Sequence, residues 1–327
     1  MLIYKSIVPC MMLLFSLLFD AGEQKLYTIS GFTQGTTYNL RYYASSELLE
    51  KKDVERLLED IDASMSLYKP NSLISSFNAS AKGIQVDAPF KEVMLKSFEI
   101  YKATSGRFDV TVAPLVQLWG FGPVPVQQFP DSAEIGETLK LVGMDKLKLR
   151  GNMLHKRHPG VRVDLNGIAQ GYSADVLADL LRSKGILSFM VEIGGEVVVQ
   201  GGKPDGSGYR IGIEGLVPNG RVVELKAGAI TTSGNFNKYQ KYKSGKISHL
   251  IDPKTGYPLN NQMISVTVYA KDAITADGYD NALMAMEVSE AMAFAGKKGL
   301  EAYFIYRKAD GRLADTLTNG FRKLLVQ

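Results

Sequence analysis

The chain has 327 residues, of which 45% are hydrophobic, and a formal net charge of +4. That length can bury a sizeable core without disulfides or a structural metal. The basic residues are spread along the sequence, so the basic stripe typical of nucleic-acid-binding proteins is missing and that class of function is excluded. The 32 glycines and the frequent turn dipeptides favour a mixed strand-and-helix enzyme over a helical bundle.

The N-terminus differs from the rest of the chain. Lys5 precedes an apolar run from Ile7 to Phe19, after which the sequence turns polar. The run is short for a transmembrane helix and typical of a signal peptide. We therefore expect residues 1–21 to be a signal peptide or an uncleaved anchor, residues 22–327 to form one domain, and the protein to be exported. Cys10, the only cysteine, lies in this leader, which excludes thiol catalysis and cysteine metal sites in the mature chain.

The predicted elements follow one another irregularly after the leader. Apolar periodicity predicts helices around Val54–Ile61, at Pro89–Ser105, around Ile168–Leu181, at Asp272–Met286 and at Ser289–Lys298. Strands are predicted at Thr36–Tyr43, Phe189–Val199, Tyr209–Glu214, Ile264–Tyr269 and Ala302–Tyr306. This order favours an α+β fold, with mixed sheets and flanking helices in a single compact domain, over a repeating βαβ fold.

Three oxygen-bearing side chains are grouped on one predicted helix. Asp277 and Asn281 are four residues apart, and Asp280 is three residues after Asp277, so all three project to one side. Hard cations such as Mg²⁺ prefer oxygen ligands of this kind. The same spacing is common on solvated helix turns, where acids complement the helix dipole, and the spacing alone leaves both interpretations open.

A strand, a tight turn and a helix are predicted around Asp164–Tyr172. The strand ends at Asp164, and Gly167 and Gly171 allow a ligand to approach the backbone at a helix N-terminus that favours an anion. The alternative is an ordinary turn in which Asp164 caps the helix.

Three further segments contain residues suited to binding or catalysis. Thr231–Phe236 has small hydroxyl residues beside a glycine, as phosphate sites do. Ser248–Gly256 contains His249 and the turn-forming pair Asp252-Pro253. Gly106–Gly122 has aromatic residues beside glycines, a combination that either holds a flat ring or packs a core.

In this order, the segments resemble the FAD:protein FMN transferase family, once called thiamine biosynthesis lipoproteins. The resemblance rests on Asp164–Tyr172, on Thr232–Gly234 and on Ser248–Gly256, a highly specific combination. Matching blocks begin at Gly35-Thr36, include Ser75–Asn78 and continue to the last helices, so they cover nearly the whole mature chain.

The resemblance implies a magnesium-dependent reaction in a cleft that holds FAD. A Ser or Thr hydroxyl of an acceptor protein attacks the FMN phosphorus, and AMP leaves. The implied metal ligands are Gly167, Asp277, Asp280 and Asn281. The implied FAD contacts are Gln34, Tyr68, Arg107, Phe108, Asp109, Asp164, Gln170 and Ile251. Either His249 or Asp252 is expected to deprotonate the attacking hydroxyl, since an unperturbed histidine titrates near ~6.5.

The family also suggests an acceptor, and two alternative functions compete with transfer. The expected acceptor is a membrane-associated redox subunit on the periplasmic side of the inner membrane. One alternative is an FAD pyrophosphatase, in which water replaces the acceptor and FMN and AMP are released. The other is a non-catalytic flavin-binding protein. A serine hydrolase is disfavoured because no Gly-x-Ser-x-Gly elbow is present.

Three residues depart from the family pattern. Asn281 stands where threonine is common, Gln170 where lysine or glutamate is common, and Gln34 where methionine is frequent. An amide oxygen still binds magnesium, so the change at Asn281 is expected to alter metal affinity or preference rather than to remove the site.

Overall fold

In the computed structural model, the described residues are 23–213, 215–216, 220–235, 239–242 and 245–326. The predicted leader with Cys10 lies outside them, as do Glu214 and Phe236 of two predicted segments. Among the helices of the described part, none has the length and apolar character needed to span a membrane.

The strands and helices interleave along the chain as the sequence predicts. The strands are β1 Lys25–Thr33, β2 Thr36–Ala44, β3 Gly83–Gln85, β4 Leu147–Arg150, β5 Met153–Lys156, β6 Ser188–Ile193, β7 Glu196–Gln200, β8 Tyr209–Ile213, β9 Arg221–Leu225, β10 Ala227–Gly234, β11 Tyr239–Tyr242, β12 Gly245–Ser248, β13 Met263–Ala270, β14 Glu301–Arg307 and β15 Leu313–Leu317. The helices are α1 Lys51–Met65, α2 Leu73–Ala79, α3 Ala88–Ala103, α4 Ala113–Leu118, α5 Ser132–Leu139, α6 Ala169–Ser183, α7 Ala273–Met284, α8 Val288–Lys298 and α9 Asn319–Arg322, with short 3-10 turns at Val110–Val112 and Met144–Lys146. The predicted helices correspond to α1, α3, α6, α7 and α8, and are confirmed.

One large antiparallel sheet organises the molecule. Within the described residues its strand order is β1-β2-β6-β7-β10-β13-β14-β15. Successive side chains of a strand point to opposite faces of the sheet. On β7, Val198 packs with α1 and α6, whereas Val197 and Val199 pack with the β8–β9 hairpin and α9 on the other face. Helices α6 and α7 therefore cover one face, and the hairpin covers the other.

A second layer lies beyond α7. The small sheet β3-β5-β4, together with α2 and α3, encloses a further hydrophobic cluster that reaches α7. Gly278 allows the close contact between α3 and α7, because a Cβ at that position would lie 2.3 Å from Ile100 Cδ1. Mixed helices and antiparallel sheets thus form a single compact α+β domain, which confirms the predicted fold class.

One predicted strand is wrong in its extent. The run Phe189–Val199 forms two strands, β6 and β7, that pair as a hairpin. Gly194 and Gly195 lie between them with φ of 62° and 114°, values that favour glycine and reverse the chain. Apolar and β-branched residues on both sides of the two glycines hid the turn that the glycines form.

Candidate functional site

Thirteen of the fourteen predicted site residues meet in one cleft. It has a volume of about 1160 Å³ and lies where the ends of β6, β7 and β10 meet the first turn of α6. The predicted residues that line it are Gln34, Tyr68, Arg107, Phe108, Asp109, Asp164, Gly167, Gln170, His249, Ile251, Asp277, Asp280 and Asn281. Asp252 is not among the lining residues.

Helix α7 carries three of these residues and is buried on nearly all sides. Its N-terminus is capped by Asp272, which accepts from the Thr275 amide at 3.0 Å. The carboxylate of Asp175, on α6, accepts from the amides of the first two residues of α7, Ala273 and Ile274, at 2.9 and 2.8 Å. These contacts hold the helix between α6, α3 and the large sheet, so its polar residues face a confined space rather than solvent.

The carboxylates of α7 are buried, which contradicts the interpretation of this helix as a solvated turn. Asp277 is 4% exposed and Asp280 is 1% exposed. Burial of an acidic side chain is costly unless a counter-charge or hydrogen bonds compensate it. A buried pair on one face therefore indicates a binding site rather than a surface that complements the helix dipole.

Four groups, which we name the acidic cluster, converge around the Asn281 side chain: Gly167, Asp277, Asp280 and Asn281. The amide nitrogen Nδ2 of Asn281 lies 3.2 Å from Asp277 Oδ1, 3.1 Å from Asp280 Oδ1 and 3.3 Å from the Gly167 carbonyl oxygen. A half-turn of the amide would present its oxygen to the same space. Two carboxylates, a carbonyl and an amide form an all-oxygen set that suits a hard cation such as Mg²⁺, so the residues fit that metal.

No larger ligand group is present elsewhere in the described part of the chain. Within those residues, no three His, Cys, Asp or Glu side chains are placed to hold a metal ion. A cation at the acidic cluster would therefore take only two of its oxygens from carboxylates. That ligand number is usual for Mg²⁺, which keeps several waters and binds substrate phosphates.

Burial changes the acid–base properties of the cluster. It raises the pKa of the Asp277 carboxyl to about 7. The pKa of Asp280 is also raised, first by burial and then by the nearby negative charge of Asp277. Two carboxylates this close oppose each other's ionisation, and a cation between them would favour the charged form of both.

The acidic cluster is positioned by hydrogen bonds from other elements. The Gly171 amide, in the first turn of α6, donates to Asp277 Oδ2 at 2.9 Å. Thr231, on β10, donates its hydroxyl to Asp280 Oδ2 at 2.6 Å. The sequence placed Thr231 among hydroxyls suited to phosphate, whereas the structure buries it completely against Asp280. Its neighbours Thr232 and Ser233 do line the cleft.

The turn before α6 differs from the prediction. Residues 161–165 are irregular rather than a strand. The side chain of Asn78 replaces a neighbouring strand, because its amide accepts from the Val163 N–H at 2.8 Å and donates to the Val163 carbonyl at 2.9 Å. Asp164 then caps the turn by accepting from the Asn166 amide at 2.9 Å. Burial raises the pKa of Asp164.

Asn78 is a positioning residue that sequence reasoning missed. It lies in a block that matches the family, but nothing in its own neighbourhood shows that it contacts a segment 85 residues further along the chain. Asp175 was missed for the same reason, since a helical Asp on a partly apolar face carries no signal that it caps a different helix.

Four of the predicted FAD contacts, which line the cleft, are Tyr68, Arg107, Phe108 and Asp109. The Arg107 guanidinium donates to the Ala285 carbonyl at 3.0 Å and forms an ion pair with Glu290 at 3.1 Å. Asp109 accepts from the Thr111 amide at 2.7 Å, and burial raises its pKa to about 6. Phe108 is packed in the core, whereas Tyr68 is 68% exposed and presents a free-standing ring at the cleft.

The remaining predicted contacts come from three separate segments of the chain. Gln34 lies in the turn between β1 and β2 with φ of 49°, and its side-chain amide donates to Ser173 Oγ at 2.8 Å. Gln170 is the second residue of α6. Ile251 is 9% exposed and forms an isolated bridge with Pro258.

The two predicted catalytic residues lie in different surroundings. His249 is half-buried, lines the cleft and packs edge-on against Phe121, with ring centres 6.4 Å apart. Asp252 stabilises its own turn, since its Oδ1 accepts from the Lys254 amide and its carbonyl accepts from the Gly256 amide, both at 2.8 Å. The turn predicted from Asp252, Pro253 and Gly256 is confirmed.

Comparison with known proteins gives one consistent family. The family model described as the ApbE family matches residues 34–304. The FAD:protein FMN transferase of Vibrio cholerae is 38% identical and is aligned over 90% of this chain and 93% of its own. That of Haemophilus influenzae is 36% identical, with 92% of each chain aligned.

Solved structures agree with these sequence relatives. The flavin transferase ApbE from Vibrio cholerae superposes with a TM-score of 0.84 at 36% identity, covering 93% of this chain and all of that chain. The apo flavinyl transferase ApbE from Pseudomonas stutzeri superposes with a TM-score of 0.85 at 33% identity, covering 92% of this chain and 97% of that chain.

Proposed function

The chain belongs to the ApbE family and is an FAD:protein FMN transferase, and on that basis we propose that it transfers FMN from FAD to a Ser or Thr hydroxyl of its acceptor protein, releasing AMP, in a reaction that requires Mg²⁺. Flavin transfer to a protein follows from the family. The metal, the kind of hydroxyl and the leaving group are the proposed parts.

One observation carries the proposal. The oxygens of Gly167, Asp277 and Asp280 surround a single point, marked by Asn281 Nδ2 at 3.1 to 3.3 Å, inside a cleft large enough for a dinucleotide. Mg²⁺ held by these residues would neutralise negative charge on the pyrophosphate as its bond breaks. The four residues of the acidic cluster would hold it from α7 and from the turn before α6.

The neighbouring residues are suited to orient FAD. Gly167 and Gln170 line the cleft at the start of α6, and the positive end of a helix dipole favours an anion such as a pyrophosphate. Tyr68 offers an exposed ring for stacking on a flat base or flavin. The ion pair with Glu290 fixes the Arg107 side chain at the cleft wall, where it would position the dinucleotide.

The transfer step itself needs one proton acceptor. The acceptor hydroxyl oxygen forms a bond to the FMN phosphorus, the P–O bond to AMP breaks, and AMP leaves with the electron pair. His249 or Asp252 takes the hydroxyl proton. The position of His249 in the cleft favours it, because a general base must lie within hydrogen-bond reach of the proton that it removes.

Mass spectrometry of an acceptor tests the proposal. A candidate acceptor protein is incubated with the purified chain, FAD and Mg²⁺. A mass gain equal to FMN on a Ser or Thr, lost when EDTA is added, supports both the transfer and its metal. Release of free FMN and AMP without a modified protein would favour the pyrophosphatase. FAD that stays intact in every mixture would indicate a flavin-binding protein.

We further propose that transfer takes place outside the cytoplasm, on a membrane-associated redox subunit. The apolar run at Ile7–Phe19 supports export. Cell fractionation checks this: recovery of the chain in the cytoplasmic fraction, with its first residues still attached, would contradict it.

A further inference from the structure

We propose that the acceptor polypeptide binds in an extended conformation along the open edge of β8, which it lengthens by one strand, so that its Ser or Thr hydroxyl faces the acidic cluster. This inference rests on the proposed function, because it needs a protein as the second substrate. It concerns how that protein is held rather than how FAD is cleaved.

The outer edge of the neighbouring strand β9 is already covered. The Glu224 amide donates to the Leu324 carbonyl, and the Val326 amide donates to the Val222 carbonyl, each at 2.9 Å. Alternate residues of a strand direct their backbone groups to opposite sides. The even-numbered residues of β9 therefore face the C-terminal segment, and its odd-numbered residues face β8.

The register then shows which groups of β8 are open. The odd-numbered residues of β9 pair with Tyr209, Ile211 and Ile213. The N–H and C=O groups of Arg210 and Gly212 consequently point away from β9. Within the described residues, no further strand pairs with β8 on that side. An open edge of this kind accepts an added strand through main-chain hydrogen bonds.

This edge belongs to the same cleft as the acidic cluster. Residues Arg210–Ile213 line the cleft together with Asp277 and Asn281. Pockets of roughly 300–1000 Å³ hold one drug-sized ligand. At about 1160 Å³, the cleft exceeds that range, as a site for a dinucleotide such as FAD must.

Gly212 is a second observation that points to an approaching chain. It is exposed, its φ lies outside the left-handed region, and a Cβ at its position would meet no atom within 4 Å. The packing of the chain itself therefore does not require glycine there. Glycine inside a strand weakens it and often marks the close approach of another backbone. Neighbouring strands lie only about 4.7–4.9 Å apart, so an added strand would bring its backbone close to Gly212.

The chemistry of transfer favours an extended segment over a folded surface. The attacking oxygen must come within roughly 3–3.5 Å of the phosphorus. A locally extended segment can enter a cleft to that depth, and main-chain pairing holds it while leaving alternate side chains free. One of those side chains is the hydroxyl residue that receives FMN.

The variant Gly212→Pro tests this edge. Its N–H points outward, so proline removes one donor to the incoming strand without breaking a bond to β9, and proline is tolerated on edge strands. Steady-state rates are measured against the concentration of an acceptor that the unaltered chain modifies with FMN. We expect the KM for that acceptor to rise at least tenfold, while the dissociation constant for FAD stays within twofold.

A matched control places proline on a remote sheet edge. The Gly194 amide donates to the Thr37 carbonyl at 3.1 Å, so odd-numbered residues of β2 face β6. Thr28 pairs with Arg41, which is odd-numbered, so the N–H of Thr28 points outward from β1. Thr28 is exposed and does not line the cleft. Thr28→Pro is expected to leave the acceptor KM and the dissociation constant for FAD unchanged.

Amide hydrogen exchange on the unaltered protein gives an independent measurement. Saturating acceptor should slow exchange at the Arg210 and Gly212 amides, and FAD alone should not. An unchanged acceptor KM in Gly212→Pro, or exchange at these amides that the acceptor does not slow, would overturn the proposal. A wild-type dimer that becomes monomeric in Gly212→Pro with no change in acceptor KM would also overturn it, because the edge would then pair two copies. If the unaltered chain modifies no acceptor but cleaves FAD, the proposed function fails and the docking proposal fails with it.

Discussion

Two sides of the cleft are built in different ways. The two carboxylates of the acidic cluster are buried, and the side chains of the cluster are held by groups from β10, from α6 and from the turn before α6. Asp277 is 4% exposed. On the other side, His249 and Asp252 are half-buried, and the hydrogen bonds of Asp252 stay within its own turn. Buried, rigidly held carboxylates suit the binding of a cation, whereas a half-buried turn near solvent suits the movement of a proton.

The largest effect is expected when a charge is removed from the buried side of the cleft. Asp277→Asn keeps a hydrogen-bond acceptor for the Gly171 amide but removes the charge. Metal assistance is worth several kcal/mol, so we expect the rate of FAD cleavage at fixed Mg²⁺ to fall on the order of 10³-fold. The midpoint of thermal unfolding of this variant, measured in EDTA, should not fall, since a buried carboxyl is replaced by a neutral group of the same shape. Normal turnover in this variant would refute the metal assignment.

Changes on the half-buried side should have a smaller effect and should separate the two candidate bases. His249→Gln is expected to lower kcat about 10²-fold, at the low end of what a general base contributes, with Mg²⁺ affinity unchanged. Asp252→Asn should reduce kcat less than tenfold, because Asp252 lies outside the cleft lining and its Oδ1 is engaged by Lys254. A larger loss in Asp252→Asn than in His249→Gln, measured at saturating FAD and acceptor, would reverse the assignment.

The packing behind the acidic cluster can be tested without touching a ligand. At Gly171 a Cβ would lie 2.5 Å from the Ala273 carbonyl oxygen and 2.8 Å from Asp277 Cβ. Gly171→Ala should therefore lower stability, because overpacking of about 1–3 kcal/mol exceeds the helix propensity that alanine adds. It should also weaken Mg²⁺ binding, measured by titration calorimetry.

A second helical glycine is the control for that experiment. At Gly296 on α8 a Cβ would meet nothing within 4 Å. Gly296→Ala is expected to raise stability by about 0.4–1 kcal/mol. If both variants have the same unfolding midpoint in urea, close packing of α6 on α7 does not matter for the site.

The last prediction is a pH dependence of stability, measured on the metal-free protein. The folded state raises the pKa of Asp277 from 3.8 to about 7, and it raises the pKa of Asp175 from 3.8 to about 6. The folded protein therefore binds protons more tightly than the unfolded chain between these values. Its free energy of unfolding should fall as pH rises from 3.8 towards 7.

Urea unfolding of EDTA-treated protein at several pH values checks this dependence. Asp277→Asn should show a shallower decrease than the unaltered protein. Mg²⁺ should stabilise the protein more above the Asp277 pKa than below it, because the metal competes with the proton for the same oxygens. A free energy of unfolding that rises over this range would contradict the buried state of these carboxyls.

Local pattern predicted the five longest helices of the described residues, but it missed the four shortest ones and one of the turns. The spacing of apolar residues in α1, α3 and α6 reports directly which face packs inward, and those predictions are confirmed. The hairpin at Gly194-Gly195 was missed because strand-forming residues lie on both sides of the glycines, so that β6 and β7 were predicted as one strand. The strand expected before Asp164 is absent because a side chain, Asn78, satisfies the backbone that a strand would have paired.

By itself, the sequence determined the family, the α+β class and, apart from Asp252, a set of site residues that meet in the cleft. It could not decide whether Asp277 and Asp280 lie in solvent, because a spacing of three or four residues is the same on a buried helix face as on an exposed one. Only the packing of α7 against α6, α3 and the sheet made them a buried pair with raised pKa values. The partners that hold the cluster, Thr231 and Gly171, are 49 and 106 residues away from the carboxylates they contact. Contacts at that separation depend on the topology of the sheet, which no local pattern contains.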